Sequence, residues 1–224
     1  MSSLAFSQPT EKLADSLWKQ GEFKKALRNY QLVMKQESMA SPALLLKMAN
    51  CASALRNYPA EIYYLNLCYQ IAPSKSLQEQ IRILANQYNL QGYNFSDLDL
   101  LLQYYYQTDD IVVLSGIALS LILVLAMFQS RYKGKQLVYY PLIFLVCIIG
   151  FAVANNIQTI NQKAIIAFNN TMLMDGPSAA SNNITKVSQG HRVTITAKTD
   201  VWYKVTWLNN TAYIHSKNLL LLPR

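Results

Sequence analysis

The sequence predicts a chain of three parts: an α-helical repeat region, a two-helix membrane hairpin and a small all-β barrel. Three observations predict it. Apolar residues fall at helical spacing over Glu11 to Gln36 and again about 35 residues later. Two uncharged apolar runs of 18 residues each occupy 111–128 and 137–154. The last 60 or so residues alternate apolar and polar positions between Gly, Pro and Asn turn signals.

The helical part is assigned to residues 10–91. Leu13, Ala14 and Leu17 form the inner face of a first helix, and Ala26, Tyr30 and Val33 that of a second. Gly21 separates the two and is followed by Phe23. Ala14 and Ala26 are small where two helices must approach closely. This run resembles the tetratricopeptide repeat, a helix pair that turns at a Gly, places an aromatic two residues on and then a small residue. A second copy is expected with a helix over Pro42 to Leu55, a turn at Asn57-Tyr58 and a helix over Ala60 to Ala72, stopped by Pro73. That copy carries Arg56 at the turn and Glu61 at the small position, both departures from the pattern. Leu77 to Leu90 reads as a capping helix with one polar face. The resemblance implies a platform that binds peptide segments or partner proteins, without catalysis.

Residues 1–9 read as the remnant of an export signal, because Ala5 and Ser7 are small residues spaced as at a signal-peptidase site. Residues 92–110 are predicted as a juxtamembrane helix starting at Ser96, with Asp109 and Asp110 at the helical N-terminus of the first span. Tyr104 to Tyr106 suit either the membrane interface or a ligand.

Each 18-residue run would make roughly 27 Å of helix, near the hydrocarbon thickness of a bilayer. The loop 129–136 holds Arg131, Lys133 and Lys135 and no acid, whereas 91–110 has no Lys or Arg. Positive charge resists translocation, so the loop is expected in the cytoplasm and both flanking regions on the periplasmic side of a bacterial inner membrane.

After a polar linker, 155–162, the barrel is assigned to 163–224. Gly176 and Pro177 mark its first turn and Gly190 a second. Trp202, Tyr203 and Val205 lie on one strand, Tyr213 and Ile214 on the next. The region resembles bacterial domains of the Src-homology-3 type, with Met174, Ala212 and Tyr213 standing where that family usually has Arg, Gly and Trp. Trp202 and Trp207 suit either a ligand platform or core packing. His191 and His215 have no Cys or carboxylate at ligand spacing, so no metal role is expected.

Charge is unevenly spread within the net +8. Residues 1–110 sum to zero, while 163–224 carry +5. The default reading of a basic extracytoplasmic barrel is a solvated surface; as a partner, anionic lipid headgroups or acidic cell-wall polymer suit it better than nucleic acid. Three cysteines make no disulfide framework: Cys147 lies in the second apolar run, and Cys51 and Cys68 are either buried hydrophobes or a bridge.

Repeats, hairpin and barrel in this order resemble the BatE-like membrane proteins of bacterial Bat (aerotolerance) operons. That resemblance implies a non-catalytic scaffold without cofactor, with protein partners that include von Willebrand factor A-domain membrane proteins. The second reading is an anchor that holds peptidoglycan through the barrel. No nucleophile–base pair is visible, so an enzyme is not expected.

Overall fold

The computed structural model describes residues 11–36, 40–95, 122, 145, 162–208 and 210–223. Five helices are followed by an antiparallel sheet. The helices are α1 (Glu11–Lys19), α2 (Phe23–Gln36), α3 (Pro42–Ala54), α4 (Tyr58–Ile71) and α5 (Lys75–Gln87). Ser41, Asn57 and Ser74 each accept a backbone N–H at the start of α3, α4 and α5, and Pro42 and Pro59 sit where a helix start tolerates a missing donor.

The turn that closes the first helix pair recurs. Gly21 (φ +77°), Arg56 (φ +55°) and Asn89 (φ +52°) all adopt the left-handed conformation at a helix end. At each, two backbone bonds have the same pattern: Gly21 N to Trp18 O and Glu22 N to Leu17 O, Arg56 N to Ser53 O and Asn57 N to Ala52 O, Asn89 N to Asn86 O and Leu90 N to Ala85 O. These paired bonds satisfy the last carbonyls of a helix. The Gly-to-Arg departure at 56 therefore keeps the backbone geometry. The recurrence at Asn89 makes α5 the geometric counterpart of α1 and α3.

Each helix packs on the next in chain order, and α4 also meets the sheet. Ala14, Ala26, Met48 and Ala52 are fully buried, with Tyr30, Val33 and Pro73 buried beside them. Leu17 packs against this core and Phe23 meets Trp18 edge-on at 6.4 Å. Leu13 departs from the predicted inner face: it is 38 % exposed. Helix α1 is only nine residues long, and its single fully buried position is Ala14. Cys51 and Cys68 are free and buried, and burial pushes the Cys51 thiol up to about 11.

The sheet comprises β1 (Lys163–Ile166), β2 (Thr171–Met174), β3 (Asn183–Val187), β4 (Arg192–Thr199), β5 (Trp202–Trp207), β6 (Asn210–His215) and β7 (Leu219–Leu221), in the order β3-β2-β6-β5-β4-β1-β7. Its core is built from Ala164, Ile166, Leu173, Val193, Val205, Ala212 and Ile214, and Trp207 packs against it. Asp175 clamps the β2–β3 loop by accepting from the Asn182 backbone (2.9 Å) and side chain (3.0 Å). A Cβ at Gly176 would come within 2.7 Å of Ser181 Oγ in that loop, so the Ser181 side chain would have to turn away.

Among the described residues no helix is long and apolar enough to cross a membrane. The two 18-residue runs, the basic loop with Arg131, Lys133 and Lys135, and most of the predicted juxtamembrane helix lie outside the described residues. Within the runs, Ile122 and Leu145 are helical with exposed side chains. Gly92 to Phe95, which precede the predicted helix start at Ser96, are not helical.

Two substitutions check this packing. Ala26→Leu overpacks the α1–α2 contact and should cost roughly 1–3 kcal/mol in thermal unfolding of the full chain. Arg56→Gly removes the left-handed penalty of a non-Gly residue, and unfolding should then move up by as much as about 1 kcal/mol.

Candidate functional site

Three features outside the two cores carry polar chemistry. The first is an ionic network on the open side of the helices. Lys47 donates to Glu11 Oε1 (2.9 Å) and to both oxygens of Asp15 (2.8 and 2.9 Å), joining α3 to α1. The Tyr30 hydroxyl donates to Asp15 as well. The hydrogen bond from Lys47, followed by that from Tyr30, holds the Asp15 carboxyl below its usual range. Burial and the same bond raise Tyr30. The network ties helices together and is satisfied internally.

The second feature is a shallow cleft of about 310 Å³ on the barrel, lined by Gln162, Ile195, Thr196, Ala197, Lys198, Tyr203 and Leu221. The register between β4 and β5 shifts between Ile195 and Ala197. Such a bulge bends a strand locally, here with the Thr196 hydroxyl donating to Lys204 O at 3.2 Å. The Lys198 ammonium stands 5.6 Å from the Tyr203 ring centroid. The cleft thus offers one cation and the amide of Gln162 above the largely buried Tyr203 ring.

The third feature joins the two halves. Arg192, only 6 % exposed, begins β4 and reaches into the helical half. Its Nε donates to Gly92 O at 2.6 Å, and its guanidinium donates to Asn66 Oδ1 on α4 at 3.3 Å. The guanidinium carbon lies 4.7 Å from the Tyr93 ring centroid and 4.6 Å from that of Phe95. The Arg192 backbone N–H donates to Gln91 O. Next to it, His191 Nδ1 accepts from the Gln91 backbone (2.9 Å), which requires an unprotonated nitrogen, and burial lowers the His191 pKa. Tyr93 donates to Gly190 O at 2.7 Å.

The two tryptophans of β5 do not form one platform. Trp207 shares the inward side with buried Tyr203 and Val205 and stacks edge-on to His191 at 5.1 Å. Trp202 lies on the other side, against His215 at 5.4 Å. His215 caps the 3-10 turn Ser216–Asn218 by accepting from Lys217 N. Tyr213 is half-buried on β6, and Ile214 is fully buried beside it. Among the described residues no group of His, Cys, Asp and Glu could hold a metal ion.

Residues 175–219 match the bacterial SH3 domain family. The C-terminal unit is a bacterial SH3-type domain. No curated protein matches the chain. The matched stretch leaves out β1, β2 and Leu220 to Pro223. From those parts, Ile165 and Leu222 are buried within the helical core rather than the barrel core.

Sequence reasoning missed Arg192, Asn66 and Gln91 to Phe95. Two signals pointed there: an Arg opening an otherwise apolar and Thr-rich strand, and a Gly–aromatic–x–aromatic run directly after the last helix.

The Asp15 network predicts a pH response of fixed sign. The native carboxyl titrates lower than the unfolded one, so its contribution is fully present above the ordinary value of 3.8 and is lost as pH falls through the lowered native value. Asp15 and Lys47 side chains are each 37 % exposed, so the contribution is at most about 1 kcal/mol. Denaturant titration of Asp15→Asn should show that loss at pH 7 and a flatter response than the parent below the carboxylate range.

Proposed function

We propose that this chain is a non-catalytic, membrane-anchored interaction protein of a bacterial envelope, with tetratricopeptide-type helical repeats and an SH3-type barrel as its two binding modules. The observation that carries the reading is the docking of a helical array with recurrent turns onto a bacterial SH3-type domain. Both are shapes that bind through surfaces. The two 18-residue uncharged runs between them supply the anchor, and the exposed side chains of Ile122 and Leu145 suit an apolar surrounding. The order of parts supports membership of a Bat-type stress-tolerance complex, with von Willebrand factor A-domain proteins as partners, in the periplasm-facing arrangement favoured by Arg131, Lys133 and Lys135.

A second reading rests on the barrel cleft. Lys198 offers a charge for a stem-peptide carboxylate and Gln162 an amide for a polar group of the same polymer, a pair that suits peptidoglycan. The +5 charge of 163–224 favours the same anionic polymer.

Mild cross-linking in cells, followed by purification of the full chain, separates the two. Recovery of the same partner proteins in repeated experiments supports the scaffold, and recovery of the chain alone overturns it. Co-sedimentation of the full chain with purified sacculi at low salt, lost in Lys198→Glu, supports the cell-wall reading. No sedimentation of the parent removes it.

A further inference from the structure

The helices and the barrel make contact through an interior, not through two finished surfaces. Ile165 on β1 and Leu222 after β7 are fully buried among helical side chains, with Leu220 packed against them. Above them the Gly92 carbonyl and the Asn66 amide, 2 % exposed on α4, accept from the Arg192 guanidinium between Tyr93 and Phe95. At the margin, Tyr63 and Gln70 of α4 donate to the carbonyls of Leu221 and Pro223, covering the β7 edge of the sheet. A free barrel would expose that edge and those apolar side chains together.

The backbone is shaped for this contact. Gly92 is left-handed (φ +89°), and a Cβ on it would come within 2.1 Å of the Arg192 carbonyl oxygen. Gly190 is also left-handed, and a Cβ there would meet Tyr58 at 3.1 Å and Leu90 at 3.2 Å. Gly92 permits a backbone approach that any Cβ would block, while at Gly190 a Cβ would press on side chains and the left-handed backbone itself favours glycine. Arg192, Ile165 on β1 and Leu222 after β7 make the barrel an extension of the helical stack.

We infer that residues 11–95 and 162–223 form a single obligate unit locked by Arg192, so that the connecting residues 96–161 leave and return on the same side of whatever membrane they enter. The membrane part of this statement rests on the reading proposed above; the docking does not. A consequence follows for topology. The connection crosses an even number of times, and the repeats cannot face the cytoplasm while the barrel faces the envelope.

The test uses the full chain in bacterial membranes, with Cys51, Cys68 and Cys147 replaced by Ala and single cysteines placed at Gln70 and Pro223. A short bis-maleimide should join the pair within one chain, and an impermeant thiol reagent should find cysteines placed at Lys12 and Lys217 on one side. Gly92→Ala and Arg192→Ala should lower the cross-link yield by about tenfold or more, as expected when buried partners of a charged donor lose it. Should either variant fail to accumulate, Tyr93→Phe, which removes only the hydroxyl bond to Gly190, should give a smaller drop. Absence of the cross-link in a folded parent, or termini on opposite sides, overturns the inference. Extraction of the cross-linked chain by alkaline carbonate upholds the docking and overturns the membrane reading alone.

Discussion

A guanidinium removed from water has to replace several hydrogen bonds at once, and Arg192 makes two of them across the boundary between the helices and the sheet. Two of the acceptors are a backbone carbonyl and a side-chain amide, and the guanidinium stands over two aromatic rings. Polar acceptors satisfy the charge while the rings exclude solvent, so the group is expensive to withdraw. Other features near the boundary depend on that seat. Gly92 and Gly190 are left-handed there, Tyr93 is buried with its hydroxyl paired, and His191 keeps an unprotonated nitrogen toward Gln91.

The arrangement changes what the SH3-type match means. The stretch that matches the family, 175–219, is not the whole folding unit. Strand β1 precedes it and pairs with both β4 and β7, placing Ile165 on the helical side. The sheet therefore serves two cores: a barrel core around Val205 and Ile214, and a helical core that receives Ile165 and Leu222. An edge strand that would otherwise offer free carbonyls is covered by α4 side chains. Among the described residues, the polar features left at the surface are the Lys47 network on α1 and α3 and the cleft beside the β4–β5 bulge.

The helical half was legible because its rules are local. Ala14 and Ala26, small at the right interval, Pro42 and Pro73 at helix boundaries, and Gly21 at the turn all fell where expected. Arg56 looked like a break in the repeat, yet its backbone takes the same turn, since the hydrogen bonds of a helix end can hold a non-Gly residue left-handed. Leu13 failed for a related reason: apolar spacing marks a face, but among the described residues only part of that face of α1 is covered. In the barrel, alternation located the strands, while the roles of Trp202 and Trp207 needed the register, which puts them on opposite sides of β5.

By itself the sequence determined the class and order of the parts: helices with a recurrent turn, two long apolar runs, then a small antiparallel barrel of bacterial SH3 type. Spacing, turn residues and alternation are properties of neighbours along the chain, so they can be read from it. The tertiary structure alone decided that the first and last parts share an interior. Asn66, Gly92 and Arg192 lie up to 126 positions apart, and none carries a local signal of its partners. Their meeting depends on where α4 and β1 come to rest, and that is set by the combined burial of Ile165, Leu222 and Tyr93 rather than by any short stretch of residues.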